Sequence, residues 1–441
     1  MVHDTLGGED AAWLHMESAR SPMVVSGVLD FVERLPIERV RPIVERLAKI
    51  PRLRATVAEP PHGVGLPRWV PVEDVDLSYH LRHVDLDDGG EHALRTFLGA
   101  EVSATLDPSR PLWRITLVDR PGAGTALVFR IHHAVADGFA LLGLMLSVCD
   151  PDPALEAQLG RVRPAVALPT IRGAAAAVSR LVLVPPDDPT HLKNPLSGDK
   201  GVAWTRPFRL DEIRRVAAAT KASVNDVVVA VVAGALRRQL RRRGDHGPGV
   251  RVHAMLPVNL RRDTKTVAPG NHVGLVVLDL PVSIEDPIAR VGAAEQRMRM
   301  LKSTPEAVVA HELLRALGGA PKKVEEVVVS FFAQKTSLVL TNVPGPRVRL
   351  KLAGVPISRV FFWVPQAGRL GLGLSVLSYA GDVTIGVIAD HAVLERPESL
   401  VTDLEAELQT LVDEVSSTEG RGPSLSPSDA RAAWRATLEQ V

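Results

Sequence analysis

Two adjacent histidines, His132 and His133, end a run of β-forming residues that begins at Thr125, and Asp137 follows after three intervening residues. Because side chains alternate along a strand, the two rings are expected to point in opposite directions. The face of His133 also carries Leu127, Phe129 and Ile131. An imidazole that faces an apolar interior close to a carboxylate is the arrangement expected of a desolvated general base.

Other interpretations of this block remain open. Ligands from adjacent strand residues diverge, and no Cys or His cluster lies nearby, so no metal site is expected. Asp137 can cap the helix that is predicted from Phe139 to Val148, and Gly138 can allow close approach of the backbone. An inward-facing histidine is also often only a satisfied core residue, so the spacing alone leaves catalysis and core structure open.

The length and composition of the chain indicate its number of domains and exclude some functions. A chain of 441 residues predicts two domains of roughly 200 residues each, with a cleft between them as the place for chemistry. The net charge of +1 argues against a nucleic-acid-binding protein. Cys149 is the only cysteine, so no intramolecular disulfide is expected, and a reducing compartment is the simplest interpretation.

Membrane spans and secretory signals are not expected. The first ten residues contain acidic residues and no apolar segment, so no secretory signal is predicted. Apolar stretches such as 227–236 and 370–377 are shorter than the roughly 20 residues that cross a bilayer. Reversible attachment to a membrane surface needs only weak sequence features and stays open.

The pattern of helices and strands predicts two mixed α+β domains. Pro and Gly residues interrupt the apolar periodicity over 183–204, which predicts a linker between an N-terminal domain at 1–182 and a C-terminal domain at 205–441. The Ser, Gly and Pro content of 416–429 predicts a mobile tail. The strands interleave with helices without the regular crossover rhythm of a parallel Rossmann sheet, and no glycine-rich phosphate motif is present.

Several motifs in order along the chain resemble the bacterial wax ester synthase/acyl-CoA:diacylglycerol acyltransferase family. This family belongs to the broader group that shares the chloramphenicol acetyltransferase and condensation-domain fold. The resemblance extends nearly from end to end. The motifs are Asp10-Ala-Ala-Trp13, Arg110-Pro-Leu-Trp113, His132-His133-Ala-Val-Ala-Asp137-Gly138, Asn225-Asp226, Gly270-Asn271 and Thr341-Asn342-Val-Pro-Gly-Pro346.

The resemblance implies a cytoplasmic O-acyltransferase that moves a long-chain acyl group from acyl-CoA to diacylglycerol or a long-chain alcohol. It implies two chloramphenicol acetyltransferase-like domains with a substrate tunnel at their interface and His133 near its middle. Acyl-CoA is expected as a co-substrate, and no bound cofactor is expected. Peripheral attachment to the inner membrane face or to lipid inclusions is the implied location, and nucleic acid is not an expected partner.

The resemblance and the chemistry of acyl transfer together predict the roles of the motif residues. His133 is predicted to be the general base, with direct attack of the alcohol on the thioester and no covalent enzyme intermediate. Asp137 is predicted to fix the loop through a salt bridge or hydrogen bonds, and His132 to support the same turn. Cys149 lies in an apolar helical run and is not expected to be a nucleophile.

Supporting residues are predicted with alternatives left open. Asn225 and Asp226 begin a helix and either cap it or reach the active site. Asn271 or Asn342 is predicted to stabilise the tetrahedral oxyanion. Trp113 is a core aromatic or a substrate contact.

The basic run 237–243 also has two interpretations. It is either a solvated helix end or a surface that meets coenzyme A phosphates or anionic lipid headgroups.

Competing functions share the fold or the motif. A stand-alone condensation-type acyltransferase is the nearest rival. A glycerol-phosphate acyltransferase also separates a histidine from an aspartate by four residues, as in His132 and Asp137, but its further glycine-rich motif is not found. From another class, a catalytically silent lipid-binding or lipid-droplet surface protein would retain the fold without turnover.

Overall fold

The computed structural model describes residues 4–61, 65–153, 183–247, 249–261 and 270–419. The strands in these ranges are β1 (Val24–Phe31), β2 (Ala55–Ala58), β3 (Arg68–Pro71), β4 (Leu81–Asp85), β5 (Trp113–Arg120), β6 (Gly124–His132), β7 (Lys200–Trp204), β8 (Phe208–Arg209), β9 (His253–Asn259), β10 (Val273–Asp279), β11 (Leu338–Pro344), β12 (Lys351–Leu352), β13 (Val355–Pro356), β14 (Arg359–Trp363), β15 (Leu372–Tyr379) and β16 (Asp382–Asp390). The helices are α1 (Gly8–His15), α2 (Ile37–Leu47), α3 (Leu77–His80), α4 (Glu91–Ser103), α5 (Gly138–Val148), α6 (Leu210–Ala219), α7 (Val224–Arg243), α8 (Pro287–Lys302), α9 (Glu306–Leu317), α10 (Lys322–Gln334) and α11 (Pro397–Glu419).

The N-terminal sheet has the order β14-β1-β6-β5-β4, and β4 runs parallel to β5 while the other pairs are antiparallel. Apolar side chains on both faces of β1 and β6 are buried, because α2 and α5 pack on one face, and α4 with residues of the second half of the chain packs on the other. Gly27 of β1 lies under Phe129, where a Cβ atom would come within 2.3 Å of the ring. The sheet therefore fixes the position of the end of β6 and, with it, the position of the histidine pair.

The C-terminal sheet has the order β10-β9-β11-β15-β16-β7, and β8 also pairs with β16. Strand β11 is parallel to β9 and β15, whereas the remaining pairs are antiparallel. Each of the two sheets thus mixes parallel and antiparallel pairs, as the irregular alternation of helices and strands predicts. The fold class is α+β.

The central helix of the C-terminal half is α7, and its sequence explains both its position and its ends. Its Val- and Ala-rich run is almost entirely buried against the sheet and against α8 and α11. Ser223 and Asp226 form a capping box at its start. Gly244 ends the helix in the left-handed conformation, at φ 76°, which glycine adopts without steric cost.

The two halves are joined by an exchanged strand. Strand β14 comes from the C-terminal half of the chain but pairs with β1 at the edge of the N-terminal sheet. Trp363 at its end donates a hydrogen bond from Nε1 to the Ala203 carbonyl at 3.2 Å. One hydrophobic core cluster contains residues of both halves, namely Val28, Leu94, Leu98, Val102, Val118, Ala126, Val128, Val202, Trp204, Phe361, Trp363 and Ile388.

Two strands lie at or across the predicted domain boundaries. The last five residues of the range 183–204 form strand β7, which pairs with β16 and so belongs to the C-terminal sheet. The 359–363 strand lies in the N-terminal sheet although its sequence position assigns it to the other domain. The predicted tail at 416–429 begins as the last turn of α11, and residues beyond 419 lie outside the described ranges.

The described helices include no single one that is both long and apolar enough to cross a membrane. Helices α6 and α7 together are long and apolar enough, but they meet at an angle of 96°.

Candidate active site

A cavity of about 750 Å³ lies between the two sheets, with His133 in its wall. We call it the central cavity. The N-terminal half contributes residues of α1, β1, the end of β6 and the start of α5, and the C-terminal half contributes residues of β9, β10, β11 and β14 with the loop that follows β14. The lining residues are Trp13, Val25, His133, Gly138, Phe139, Met255, Pro257, Asn259, Val273, Leu275, Val339, Thr341, Asn342, Val343, Phe362, Val364, Pro365 and Ala367.

His133 is held by its backbone and by one aromatic neighbour. Its N–H donates to the Met23 carbonyl at 2.7 Å, which fixes the residue directly after β6. Its ring stacks on Trp13, with ring centroids 4.1 Å apart and an angle of 24° between the planes. The residue is 9% exposed. The stacking on one side and the strand on the other leave the imidazole little freedom to rotate.

Burial sets the protonation state of His133. Desolvation lowers the pKa of its imidazole to about 4, and the opposing effect of the Asp137 charge does not offset it. Nδ1 is buried and makes no hydrogen bond of normal geometry with the described residues. Nε2 is therefore the nitrogen available to a molecule in the cavity. At neutral pH the ring is uncharged, which is the state that accepts a proton.

His132 faces a different environment and does not line the central cavity. Its Nδ1 accepts the Ala134 N–H at 3.0 Å, so the hydrogen must be on Nε2. That nitrogen lies 3.3 Å from Oε2 of Glu17. Burial raises the pKa of the Glu17 carboxyl, but the His132 ring and the Met23 N–H lower it by more. His132 thus fixes the turn and the chain at Met23, rather than facing the cavity.

Asp137 is fully buried and has a partner on each carboxylate oxygen. Oδ1 accepts the N–H groups of Phe139 and Ala140, at 3.1 and 2.9 Å, and so caps α5. Oδ2 accepts the His272 N–H at 2.9 Å and pairs with the Arg261 guanidinium. One carboxylate therefore joins the histidine turn to the C-terminal half. It has no oxygen left to take a proton from the His133 ring.

Asn271 joins the same turn from the other side. Its Nδ2 donates to the His133 carbonyl and to Oδ1 of Asp10, both at 2.8 Å. Asp10 in turn pairs with Arg52 at 2.7 Å, and Arg52 also reaches the Val135 carbonyl at 3.3 Å. Because an amide has only two N–H groups and both are used, Asn271 has no donor left for an oxyanion. The structure makes it a positioning residue.

Asn342 and Asn225 are brought together although 117 positions separate them. Nδ2 of Asn342 donates to Oδ1 of Asn225 at 3.0 Å, and Asn342 lines the central cavity. One N–H of Asn342 remains for a ligand, so it is the better placed of the two predicted oxyanion donors. Asp226 instead accepts hydrogen bonds from Ser223, at 2.8 Å from the backbone and 2.7 Å from the hydroxyl, and does not line the cavity.

Gly138 lines the central cavity at the start of α5. A Cβ atom there would meet nothing closer than Val343, at 3.9 Å. Glycine is therefore not required by close backbone contact, which was one interpretation of this position. Its effect is to leave space in the wall next to the histidine turn.

Two further apolar cavities share walls with the central cavity, and we call them arms. The α9/α10 arm, of about 690 Å³, shares Trp13, Met255, Leu275 and Ala367 with it and is otherwise lined by Met16, Val277, Ala310, Leu313, Leu314, Leu317, Val328, Val329, Phe332, Ala333 and Leu370. The α5 arm, of about 400 Å³, shares Val25, Gly138, Val343 and Phe362 and is otherwise lined by Phe129, Leu141, Leu142, Met145, Val360 and Leu377. Both suit hydrocarbon chains.

Neither Cys149 nor Ser337, which lies near Asp187 and His253, is placed as an activated nucleophile. Cys149 is buried, and desolvation raises the pKa of its thiol to about 12, so it carries no thiolate at neutral pH. Asp187 bonds both His253 and Ser337, which keeps the serine hydroxyl on the carboxylate instead of on the imidazole. A nucleophilic serine needs the imidazole between the other two groups.

The basic run at the end of α7 is engaged with carboxylates. Arg237 and Arg241 pair with Glu285, Arg238 pairs with Glu407, and Arg242 pairs with Asp403. None of these arginines lines the central cavity. The contacts favour a charged helix end over a phosphate site.

Trp113 is almost completely buried, 1% exposed. It donates to the Leu53 carbonyl at 2.8 Å and stacks on His80, which favours a core role.

No role was predicted from the sequence for several residues around His133, although the Asp10-Ala-Ala-Trp13 motif carries part of the family resemblance. Trp13, Asp10 and Glu17 lie on or just after α1, and their spacing of three and four residues along one helical face is a signal that connects them. Arg52 and Arg261 carry no such signal. Their partners are 42 and 124 positions away in sequence, so only the fold brings them together.

Comparisons with known proteins agree with the motifs along the chain. Residues 6–165 match the family model described as the wax ester synthase/diacylglycerol acyltransferase catalytic domain, and residues 269–412 match the model of the WS/DGAT C-terminal domain. The two matches together cover more than half of the chain.

Curated relatives match over most of their length. The O-acyltransferase WSD of Acinetobacter baylyi is 26% identical over 440 residues, which cover 91% of this chain and 95% of the relative. A Mycobacterium tuberculosis protein with the name probable diacylglycerol O-acyltransferase is 24% identical over 403 residues, which cover 84% of this chain and 86% of the relative.

Solved structures share the fold. The wax ester synthase/diacylglycerol acyltransferase from Marinobacter aquaeolei VT8 superposes with a TM-score of 0.71 at 22% identity, covering 94% of this chain and 100% of that chain. The first condensation domain of the calcium-dependent antibiotic synthetase gives a TM-score of 0.61 at 18% identity, covering 94% and 96%. The predicted fold class, with condensation domains as structural neighbours, is confirmed.

Proposed function

The chain belongs to the wax ester synthase/diacylglycerol acyltransferase family and is an acyl-CoA-dependent O-acyltransferase, and we propose that His133 is the general base of its reaction. The acyl donor is acyl-CoA, and the acceptor is diacylglycerol, a long-chain alcohol, or both. The observation that carries the proposal is an uncharged, buried imidazole in the wall of a cavity with two apolar arms.

The chemistry requires one base and can proceed by direct attack. Nε2 of His133 removes the hydroxyl proton while the alcohol oxygen bonds to the thioester carbon. The resulting tetrahedral oxyanion collapses, the carbon–sulfur bond breaks, and the imidazolium returns its proton to the departing thiolate. The products are an ester and free coenzyme A. Because a thiol has a pKa of about 8.5, its departure needs little acid assistance.

The residues around His133 stabilise this cycle without taking part in proton transfer. Asp137 and Asn271 hold the turn, and Trp13 holds the ring plane. The negative charge of Asp137 favours the imidazolium that forms transiently, because it raises the pKa of the His133 ring against the effect of burial. Asn342 is the proposed donor to the oxyanion.

Release of free thiol from palmitoyl-CoA tests the proposed function. We expect release that depends on hexadecanol or dioleoylglycerol, with the corresponding ester as product. Binding of lipid without release of thiol would instead identify a silent lipid-binding protein. Turnover that requires a carrier-bound acyl group would identify a condensation-type enzyme.

We further propose that α10 attaches the protein peripherally to the cytoplasmic face of a membrane or to a lipid inclusion. Val324, Val327 and Phe331 lie on one face of this helix and are 46%, 69% and 39% exposed. Lys322 and Lys323 at its start are exposed and can meet anionic headgroups. Single exposed apolar residues are common, but a row of them beside a charged helix start is typical of interfacial helices.

The inner side of the same helix supports this proposal. Its other face, with Val328, Val329, Phe332 and Ala333, forms part of the α9/α10 arm. Leu313 of α9 lines that arm and is also 37% exposed. A lipid surface at α10 would therefore lie next to an apolar cavity that shares wall residues with the central cavity of His133, which suits substrates that do not dissolve in water.

Liposome binding tests the role of α10. The double variant Val327→Glu, Phe331→Glu is expected to lose most of its binding to vesicles that contain anionic phospholipid. The control is Val32→Glu, because Val32 is an exposed valine, 76%, outside this helix. Equal binding of both variants and the parent would exclude α10 as the docking surface.

A further inference from the structure

Three side chains from distant parts of the sequence meet beside the central cavity. They are Glu9 of α1, His272 directly before β10 and His311 of α9, and one ligand-capable atom of each lies within 4.8 Å of the other two. We propose that these residues bind a divalent transition metal ion, with Zn²⁺ as the ion that their chemistry suits best.

The hydrogen bonds of His311 leave one of its nitrogens free for an ion. Its Nδ1 lies 3.2 Å from the Val273 carbonyl. A carbonyl only accepts, so the hydrogen is on Nδ1 and Nε2 carries the lone pair. Ligating histidines in metal sites typically donate their second nitrogen to a backbone carbonyl in this way.

Glu9 has an oxygen without a partner. Its Oε2 is buried and accepts no hydrogen bond from the described residues. Buried carboxylate oxygens are rarely left without a donor, because the lost hydration is costly. The rings of His272 and His311 are close by, with centroids 6.3 Å apart, and a bound cation among the three groups would satisfy this oxygen.

The ligand types indicate the class of ion. Two imidazoles and one carboxylate are a ligand set of zinc sites that keep a fourth position for water. Ca²⁺ and Mg²⁺ prefer oxygen ligands and larger coordination numbers, so they fit less well. All three residues are only half-buried, which gives an ion access from solvent.

A second group of similar composition differs from this one, because both oxygens of its Asp119 carboxylate already have partners. His83, Asp85 and Asp119 also lie within ligand distance of one another. There, however, Asp119 already pairs with His83 and Arg34, both at 3.1 Å, and accepts the Thr125 hydroxyl at 3.0 Å. Its carboxylate has no unsatisfied buried oxygen, so this group serves as a control.

The position of the proposed ion gives it a structural effect on the active site. Helix α1 carries Asp10 and Trp13, and the backbone N–H of His272 bonds Asp137. An ion held by Glu9, His272 and His311 would connect α1 and α9 to the residue that anchors the histidine turn. It would position the walls of the cavity and would not contact the reacting atoms.

Metal titration of the full chain tests the site. After removal of metals with EDTA, the protein is expected to bind one Zn²⁺ per chain, to unfold at a higher temperature with Zn²⁺, and to give a visible absorption band with Co²⁺. Glu9→Gln and His311→Ala should each weaken Zn²⁺ binding at least about tenfold, since even loss of an outer-shell partner costs about 10 to 100-fold. His83→Ala should bind like the parent.

Two results would overturn the proposal. One is the absence of stoichiometric Zn²⁺ or Co²⁺ binding by the parent chain. The other is unchanged affinity in both Glu9→Gln and His311→Ala when each unfolds, in EDTA, at the temperature of the parent. If His311→Ala does not fold, the nearly isosteric Glu9→Gln decides alone. None of these measurements depends on acyl transfer, so they are independent of the proposed function.

Discussion

At the scale of single residues, burial keeps the His133 imidazole uncharged at pH values where an exposed histidine is partly protonated. An ordinary imidazole, with a pKa of about 6.5, is partly protonated at neutral pH and below. Desolvation lowers the pKa of His133 to about 4, so the ring stays a free base over the whole neutral range. The stacked Trp13 and the backbone hydrogen bond to Met23 keep that base directed at the cavity.

This predicts an unusual pH profile for activity. Because the pKa is lowered, the active neutral form is present above about pH 4 and is lost only as the pH falls through that value. We expect kcat/KM to be constant from pH 8 to about pH 5.5, where a histidine of pKa ~6.5 would have lost about nine tenths of its free base. A fall centred near pH 6.5, in enzyme that recovers full activity on return to pH 7.5, would contradict the lowered pKa.

Asp137 is predicted to act through stability and loop geometry. Asp137→Ala leaves the buried Arg261 guanidinium without its carboxylate and removes the cap of α5. Loss of one partner of a buried ion pair costs about 3 to 5 kcal/mol, so the free energy of unfolding in urea should fall by about that amount.

Asp76 provides the matched control for this variant. It also caps a helix, α3, and pairs with an arginine, Arg110, but on the surface. Asp76→Ala should therefore cost much less stability than Asp137→Ala. An Asp137→Ala protein as stable as the parent, with turnover lost, would instead assign the carboxylate a direct role in the reaction.

At the scale of elements, the two arms of the cavity are lined by different helices. The α5 arm lies against the helix that Asp137 caps, and the α9/α10 arm lies between helices of the C-terminal half. An acyl transfer joins two long chains at one carbon, so two apolar arms that share walls with the central cavity are what the reaction requires. This arrangement predicts that each arm holds one of the two chains.

Substitutions that narrow one arm test this division. Leu142→Trp in the α5 arm and Leu313→Trp in the α9/α10 arm add a ring to each. Each variant should move the chain-length preference toward shorter chains for one substrate, acyl-CoA or alcohol, and leave the other substrate unchanged. Profiles of kcat/KM against chain length measure this. If both variants shift the preference for the same substrate, the two arms do not hold different chains.

Elements with strong local signals were predicted well, and the reason is physical. The residue pattern of 24–31 predicts a strand and that of 224–243 a helix, and these are the bounds of β1 and α7, because apolar periodicity and, in α7, the capping residues act locally. Strand β14 was not predicted, because it has only five residues and its partner, β1, is more than 300 residues away. Sequence periodicity indicates which face is buried but not against which distant strand.

In the candidate site, too, a sequence pattern reveals local groupings of residues but not contacts between distant ones. His133, His132 and Asp137 lie in one short block, so a local pattern suffices to find them. The pairing of Asn225 with Asn342 and the contact of Asn271 with Asp10 depend on the closing of the two halves. The use of both Asn271 N–H groups, which argues against Asn271 as an oxyanion donor, is visible only in the folded chain.

At the scale of the whole molecule, the two halves share a sheet and a hydrophobic core. Strand β14 crosses from the C-terminal half to the N-terminal sheet, and one core cluster contains residues of both halves. Asp137 with Arg261 and Asn271 with Asp10 add polar contacts across the same boundary. The cavity is therefore a property of the assembled chain and not of either half.

This predicts cooperative unfolding. Calorimetry of the full chain should show a single transition, because exposing either sheet removes part of the shared core from the other. The variant Trp363→Ala, which removes a 1% exposed side chain from that core, should lower the temperature of the whole transition. Two separate transitions, only one of them shifted by Trp363→Ala, would show that the halves unfold independently.

The central claim is that His133 is the general base, and the turnover of His133→Ala with palmitoyl-CoA and hexadecanol tests it most directly. General-base catalysis contributes about 10² to 10⁴-fold, so kcat should fall by at least about a hundredfold while the unfolding temperature stays near that of the parent. His132→Ala, with its ring outside the cavity, should lose stability more than chemistry. A folded His133→Ala protein that keeps kcat within about tenfold of the parent would contradict the assignment.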